Sequence, residues 1–212
     1  MPSSGKHPRL RTVVRDHVMT LAERIKTATV SPTAIASFLD ELPDAERLEQ
    51  TLALNSEEQA RLFEIVAGAR RFTLEDLAPE NSPPLAGVRH EGKNSMLLFT
   101  RFAKIFAMPD EPTAQPERWG YNEGSSLVKT AVGPGYFVAV QQGDEVLVDY
   151  TLVPKKPLAG APEILPNDAR LSRFVFNQTK DVVRGVSKHV SIGRASRGTR
   201  QLDNWFVLCR VS

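Results

Sequence analysis

The chain has 212 residues, of which 41% are hydrophobic and 25% charged, values that are ordinary for a globular protein. The net charge of +2 is too small to indicate a nucleic-acid-binding protein. No run of about 18 apolar residues predicts a transmembrane helix. Cys209 is the single cysteine, which excludes an intrachain disulfide and a thiolate metal cluster. The first residues lack the apolar segment of a secretory signal, so we expect a cytoplasmic protein with neither nucleic acid nor membrane as a partner.

The charge is divided unevenly along the chain. Residues 1–80 contain 10 Lys and Arg against 13 Asp and Glu, whereas residues 81–212 contain 17 against 12. The mildly basic second part suits an anionic ligand, although dispersed surface charge is the simpler interpretation. Pro79, Pro83 and Pro84 mark a boundary. We therefore predict a helical bundle or arm over residues 1–80 and an α+β domain over residues 81–212.

Residues 1–80 have helical periodicity and no strand signal. Apolar residues recur at steps of three and four between Leu10 and Ile25. Ser31 followed by Pro32 is a typical N-cap with proline at the first helical position. Further helices are predicted to begin at Pro43, at Ser56 and, as a short turn, at Thr73. The acidic charge of this region argues against a DNA-binding helix-turn-helix.

Turn residues divide the second part into strands. Gly133-Pro134-Gly135 and Gln142-Gly143-Asp144 are turn sequences, and the residues beside them are rich in β-branched and aromatic side chains. In the last strand of this group one face is apolar, while the other is mixed and either lines a cavity or meets solvent. The predicted strands are Leu127–Val132, Tyr136–Gln141, Glu145–Thr151, Val190–Ala195 and Asn204–Val211.

Two amphipathic helices are predicted beside these strands. Apolar residues keep helical spacing within Asn94–Ala107 and within Leu171–Ser187, where Lys180, Asp181 and Arg184 are expected to face outward. The proline-rich stretch between residues 154 and 168 is either a lid or a surface crossover. The predicted fold class is α+β: an all-helical N-terminal region, then a curved antiparallel sheet of about five strands forming a half-barrel, packed by two helices.

No motif of known chemical mechanism is present. The sequence lacks a Walker loop, an HExxH motif and a GxSxG motif. None of the four histidines has a second histidine or a carboxylate at metal-ligand spacing. We therefore expect no metal, no cofactor and no assignable catalytic residue.

Some polar and aromatic residues are candidates for ligand binding. The stretch from Val88 to Asn94 places His, Glu, Lys and Arg before a predicted helix, an arrangement that suits either an anion site or an exposed capped loop. Trp119 and Tyr121 flank a pocket mouth or belong to the core. Asp149 requires a partner if it is buried, and Arg101, Arg173 or Arg194 would supply it. The complete candidate set is His90, Lys93, Arg101, Trp119, Tyr121, Asp149, Tyr150, Arg173, His189 and Arg194.

The order of features after residue 119 resembles a known type of protein. VDYTLVP, a proline-rich link, an amphipathic helix, VSIGRASRG and WFVLCRV follow one another. This order resembles the C-terminal half of small bacterial lipocalin-like proteins over residues 119–212. The resemblance implies a β-barrel-like fold that holds a small apolar or amphipathic ligand. The chain departs from it by showing too few clear strands for an eight-stranded barrel and by adding residues 1–80.

Three functions are compatible with these observations. The first is a non-catalytic binding protein for a small hydrophobic or amphipathic molecule, with an anionic ligand among the options, held on the concave side of the sheet. The second is a protein–protein interaction module in which residues 1–80 dock a partner or a second copy of the chain. The third is a small isomerase, cyclase or lyase that uses His90, His189, Asp149 or Tyr121 as acid or base. We favour the first.

Overall fold

The computed structural model describes residues 19–96, 100–124, 135–164 and 178–211. Within these residues, short helices come first: α1 (Leu21–Lys26), α2 (Pro32–Glu41), α3 (Asp44–Ala53), α4 (Ser56–Ile65) and α5 (Leu74–Leu77). The strands follow: β1 (Val88–Asn94), β2 (Arg101–Ala107), β3 (Glu117–Glu123), β4 (Tyr136–Gln142), β5 (Glu145–Asp149), β6 (Thr179–Gly185), β7 (Val190–Arg197) and β8 (Arg200–Arg210).

The eight strands form a closed antiparallel barrel. Each strand pairs with the next one in sequence, and β8 pairs with β1 to close the ring. An eight-stranded barrel is just wide enough for its interior to be filled by side chains or to hold one small ligand. The prediction of a half-barrel of about five strands is therefore wrong, and so is the inference that the chain has too few strands to close.

Alternate residues of each strand point into the barrel, and the pairing register shows which ones do. Phe106 lies opposite Val88 and Gly120, and Ala139 lies opposite Val148. Directly opposite residues share a face of the sheet. The apolar interior cluster contains Phe106, Phe137, Ala139, Val146, Val148, Tyr150, Val183, Phe206 and Leu208.

Two inward-facing glycines make room for aromatic rings in this interior. A Cβ atom on Gly193 would lie 2.1 Å from the ring of Phe206, and one on Gly120 would lie 2.3 Å from the ring of Phe137. Because real Cβ atoms essentially never come so close, any side chain at these positions would displace the rings. The interior is therefore filled partly by rings that occupy the space above glycine.

Helices α1 to α4 cover the outside of β7 and β8. Their ends are defined by capping: Thr20 and Glu23 form a capping box at α1, and Asn55 and Glu58 form one at α4. Because the helices are short, their stability comes mainly from packing. Their apolar residues form one cluster with the outer residues Val190, Ile192, Val207 and Cys209.

Residues 72–78, which include α5, close one end of the barrel. Phe72, Leu74, Leu77 and Ala78 join the interior apolar cluster. The backbone N–H of Phe72 donates to the carbonyl of Asp144 at 2.9 Å, in the turn between β4 and β5. We call residues 72–78 the plug and this end of the barrel the plugged end. The far end is where β1 ends and β2 begins.

The proline-rich stretch packs against the outer surface of the barrel as far as it is described. Leu158 is buried with Trp119, Tyr121 and Tyr136, and Ala161 and Ile164 lie against the same cluster. Residues 154–164 are thus a surface crossover, which was one of the two predicted alternatives. Residues 165–168 lie outside the described part of the chain.

Two predicted helices are wrong in their described parts. The second half of Asn94–Ala107 is β2, whose residues are buried on both faces because the interior fills one side and Leu158 helps to cover the other. A strand buried on both sides is apolar throughout, and its periodicity cannot be distinguished from that of a buried helix. The second half of Leu171–Ser187 contains β6, whose burial alternates along its length.

Several other predictions fall on residues that are not described. They are the strand Leu127–Val132, the helical residues 171–177, Arg173 and the chain before residue 19. The predicted division at residue 80 stays a prediction, although α1 to α4 share one apolar cluster with β7 and β8. None of the helices in the described ranges is long and apolar enough to cross a membrane.

Candidate functional site inside the barrel

Four polar side chains meet inside the barrel. Lys104 is on β2, Asn122 on β3, Tyr150 directly after β5 and Asp181 on β6. Lys104 and Asn122 are cross-strand partners, and Asp181 lies opposite Val148, two residues before Tyr150. Their side chains therefore share the interior face. We call Lys104, Asn122, Tyr150 and Asp181 the interior polar cluster.

Lys104 is at the centre of this cluster. Its Nζ donates to Oδ2 of Asp181 at 3.1 Å and to Oδ1 of Asn122 at 3.2 Å, and it contacts the hydroxyl of Tyr150. The Tyr150 hydroxyl donates to Oδ2 of Asp181 at 3.3 Å and accepts from Nδ2 of Asn122 at 2.9 Å. All three ammonium protons of Lys104 thus have an acceptor, which a buried cation requires.

Aromatic rings surround the same ammonium group. Nζ of Lys104 lies 4.8 Å from the ring centre of Tyr150, 4.9 Å from those of Phe137 and Phe206, and 5.9 Å from that of Phe102. A cation within about 6 Å of an aromatic face is attracted by the electrons of the ring. The rings therefore offset part of the lost hydration of Lys104 while they keep water out.

Burial changes the proton affinity of each ionisable group in the cluster. Lys104 is 2% exposed, and Tyr150 and Asp181 are each 4% exposed. Desolvation lowers the pKa of Lys104, while Asp181 opposes that change. Desolvation also raises the pKa of Asp181 and holds the pKa of Tyr150 well above its ordinary value. Each shift favours the neutral form of its group, and such shifts are frequent at functional sites.

Some inward-facing residues near the far end are partly accessible. β2 runs from the far end to the plugged end, so Phe102 lies on the far side of Lys104. Phe102 on β2, Asn94 on β1 and Asn122 are only partly buried. Near α5, Phe106 is buried, while Val88 is also partly buried. The amide of Asn122 is thus the most accessible member of the interior polar cluster. The interior polar cluster therefore lies below the far end of the barrel and presents polar groups toward that end.

A second polar group lies at the plugged end. His90 is 2% exposed, and its Nε2 donates to the carbonyl of Leu77 at 2.8 Å. Desolvation lowers the pKa of His90 to about 4, and the neighbouring charges of Arg210 and His189 act in the same direction. Arg70, which precedes the plug, pairs with Asp76 and donates to the carbonyl of Ser187 at 2.8 Å.

The recess beside His90 does not hold a ligand. Nδ1 of His90 and Oγ of Ser191 are buried without a hydrogen-bond partner, and both residues line this recess. A bound water needs at least one water-sized volume and several polar partners. The free space of this recess does not admit a water molecule. The contacts of His90 therefore serve to attach the plug. The lining also includes Phe72, Asp76, Ser187, Lys188, His189 and Val190.

The structure brings two of the predicted binding residues into the interior, namely His90 and Tyr150, and they lie at different depths. His189 lies in the turn between β6 and β7, beside the plug, where its Nδ1 is 3.5 Å from Arg210. Arg173 is not described. The interior polar cluster therefore includes one residue of the predicted set, Tyr150.

The remaining predicted residues lie on the outer face of the barrel. Asp149 is paired there with Lys180 at 2.7 Å, a partner that was not predicted. Arg194 stacks on Trp205 with 5.1 Å to the ring centre and pairs with Asp203. The others are Lys93, which donates to the carbonyl of Ala53, the exposed Arg101, and Trp119 and Tyr121, which are buried under residues 158–164.

Lys104, Asn122 and Asp181 were not predicted as site residues. Lys104 fell within the predicted helix Asn94–Ala107, and Asp181 was expected on the outward side of the other predicted helix. A strand interpretation of RFAKIFA and of TKDVVRG would have placed both on an inward face. The usable signal was a single charge inside an otherwise apolar run of alternating residues.

No group of three His, Cys, Asp or Glu residues that could hold a metal ion occurs within the described ranges. Comparisons of the chain with protein-family models, with curated proteins and with solved structures found no match.

Proposed function

We propose that the protein binds a small amphipathic molecule inside the barrel, at the far end, with its polar group against the interior polar cluster. The observation that carries this proposal is the buried network of Lys104, Asp181 and Tyr150. The partly buried Asn122 joins this network on the side of the far end, and residues 72–78 close the other end of the barrel. Ligand sites of this kind are mostly apolar and contain a few convergent polar groups.

The cost of the cluster supports a functional interpretation. A buried ion pair is often no more stabilising than apolar residues of the same volume. The other interior residues of β2, Phe102 and Phe106, show that apolar side chains fit this part of the barrel. A chain that needed only a packed interior would gain nothing from Lys104 and Asp181, so we assign the pair to recognition.

The geometry also supports a class of ligand. The apolar part would contact Phe102 and Phe206, and the polar group would reach Asn122 and Lys104. An oxygen acceptor such as a hydroxyl, carbonyl or carboxylate fits, because it would take the place of Oδ1 of Asn122 as an acceptor for Lys104. The Asn122 amide also has a second N–H beside the one that it donates to Tyr150. A carboxylate would receive charge-assisted hydrogen bonds, which are stronger than neutral ones.

The test is a calorimetric titration of the full-length protein with octanoate, with octanol and with octane. We expect octanoate and octanol to bind with one site per chain and octane to bind at least tenfold more weakly. The paired substitution Lys104→Met with Asp181→Leu keeps the interior neutral and should abolish the preference for the polar ligands.

Lys156→Met is the matched control, since Lys156 pairs with Asp110 at the surface. It should leave all three affinities unchanged. Equal binding of octane and octanoate, or a preference that survives in the paired variant, would contradict the proposal. The resemblance to lipocalin-like proteins and the docking role of residues 1–80 stay predictions.

A further inference from the structure

We propose that Lys104 is a nucleophilic amine that forms a reversible imine with aldehydes or ketones bound in the barrel. This inference rests on the proposed function, since it assigns a ligand class to the same site. It depends on the position of Lys104 relative to a carboxylate, a phenol and an amide, and on the ring of aromatic side chains around its Nζ atom.

The first step requires a neutral amine, and the site supplies a proton acceptor. Oδ2 of Asp181 lies 3.1 Å from Nζ of Lys104. Both groups are enclosed by protein, and burial disfavours their charged forms. Transfer of one proton from the ammonium to the carboxylate turns two buried charges into two neutral groups. A desolvated lysine of this kind is an established type of activated nucleophile.

The second requirement is a proton donor for the oxygen that leaves. The hydroxyl of Tyr150 contacts Nζ of Lys104 and also bonds to Oδ2 of Asp181. Tyr150 and Asp181 therefore adjoin the atom at which the carbonyl carbon would bind, as acid–base groups must. Lys104 also donates to Oδ1 of Asn122, a residue that is only partly buried. An incoming carbonyl oxygen would replace this Oδ1 as the acceptor of the Lys104 hydrogen bond.

The reaction balances without any further reagent. The lone pair of Nζ forms a bond to the carbonyl carbon, and the carbonyl π electrons move to oxygen, which takes up a proton. The carbon–oxygen bond then breaks, and the oxygen leaves as water with the two protons that the ammonium has lost. The product is an iminium ion whose positive charge remains beside the Asp181 carboxylate, so the net charge of the interior is unchanged.

The experiment is reductive trapping on the full-length protein. Octanal is added with sodium cyanoborohydride, which delivers hydride to an iminium ion and makes the bond permanent, and the modified lysines are located by peptide mass spectrometry. We expect Lys104 to be alkylated at least tenfold faster than the exposed Lys156 at a pH near neutrality, where exposed amines are protonated. Tyr150→Phe and Asp181→Asn should each slow the modification of Lys104 by at least tenfold.

The outcomes separate this inference from the proposed function. Octanol and octanal that bind with no modification of Lys104 would overturn the imine and retain ligand binding. Failure of both ligands to bind would overturn both proposals. Modification of Lys104 at the rate of Lys156 would also contradict the inference. The result with the unmodified sequence decides the matter even if one of the variants does not fold.

Discussion

Lys104 and Asp181 form a salt bridge in a place where both charges have lost almost all of their hydration. The mutual attraction in such a site offsets the desolvation cost only when the remaining hydrogen-bonding groups are satisfied. Asn122 and Tyr150 meet that condition. Each member of the cluster therefore depends on the others, and removal of one leaves another in an unfavourable environment.

We expect Lys104→Met to destabilise the fold by roughly 3–5 kcal/mol, because it leaves the Asp181 carboxyl buried without its cation. The paired substitution Lys104→Met with Asp181→Leu should recover most of this loss. Urea unfolding followed by circular dichroism measures both free energies. The same change at Lys156, an exposed partner of Asp110, should have no measurable effect. A paired variant as unstable as the single one would show that the two residues are not coupled.

His90 makes the free energy of unfolding depend on pH, and the sign of this dependence follows from its pKa. Its pKa is about 4 in the fold and 6.5 in a free side chain. The unfolded chain therefore binds more protons than the folded one between these values, and stability falls as the pH decreases. The loss is complete below pH 4 and amounts to about 3 kcal/mol, at about 1.4 kcal/mol per pKa unit. Urea unfolding at a series of pH values measures it.

A His90→Gln variant isolates this contribution, because it removes the titrating group. We expect the difference in unfolding free energy between the two proteins to change by about 3 kcal/mol between pH 7 and pH 4. His189→Gln is the control at a neighbouring histidine that is less buried, and it should keep most of the pH dependence. If the unfolding free energy of His90→Gln changed with pH as steeply as that of the original protein, the pH dependence could not be assigned to His90.

At the scale of elements, the sequence predicted the helices better than the strands. The predicted N-cap at Ser31 and the predicted helix start at Ser56 agree with α2 and α4, because helix starts are set by local interactions. β4, β5, β7 and β8 were also recognised, since turn residues delimit them. β1 and β3 were missed, and the residues of β2 and β6 were assigned to helices.

The reason for these errors is the closure of the barrel. Lys104 on β2 and Asp181 on β6 are polar residues that face inward, so they break the usual rule that charge marks the solvent side. Lys104 and Asp181 are hydrogen-bond partners although they lie 77 residues apart in the sequence. No local pattern contains that information, and the interior polar cluster could not be predicted for the same reason.

The plug is an element whose packing can be tested directly. Leu77 on α5 is fully buried in the barrel interior. We expect Leu77→Ala to cost about 2–5 kcal/mol, because the removed methyl groups leave a cavity in a closed end. Leu152→Ala is the matched control, since Leu152 is 47% exposed, and it should change stability by less than about 0.5 kcal/mol. Equal effects in thermal unfolding would show that α5 does not fill the barrel.

On the scale of the whole molecule, the described residues form three apolar clusters that contact the barrel wall from different sides. The helices cover the outside of β7 and β8, residues 158–164 cover the outside of β3 and β4, and the third cluster fills the interior. Loss of any one layer would expose apolar side chains of the barrel on which the other two layers also pack. The three layers should therefore unfold together, as in most small domains.

Cys209 and Trp119 report on two of these layers at opposite sides of the barrel. Cys209 is the single cysteine and lies under the helices, where burial raises the pKa of its thiol to about 11. Trp119 is buried under residues 158–164. In a Trp205→Phe background, we expect thiol labelling and Trp119 fluorescence to give superimposable urea transitions, because both layers depend on the closed barrel.

The contrary result has an equally clear structural meaning. If Cys209 became reactive at a lower urea concentration than the change at Trp119, α1 to α4 would detach from β7 and β8 as an independent unit. The boundary predicted near residue 80 would then separate two parts of different stability. Coincident transitions require that the helical layer and the barrel unfold as one cooperative structure, since the thiol at the base of that layer is reached only when the helices detach.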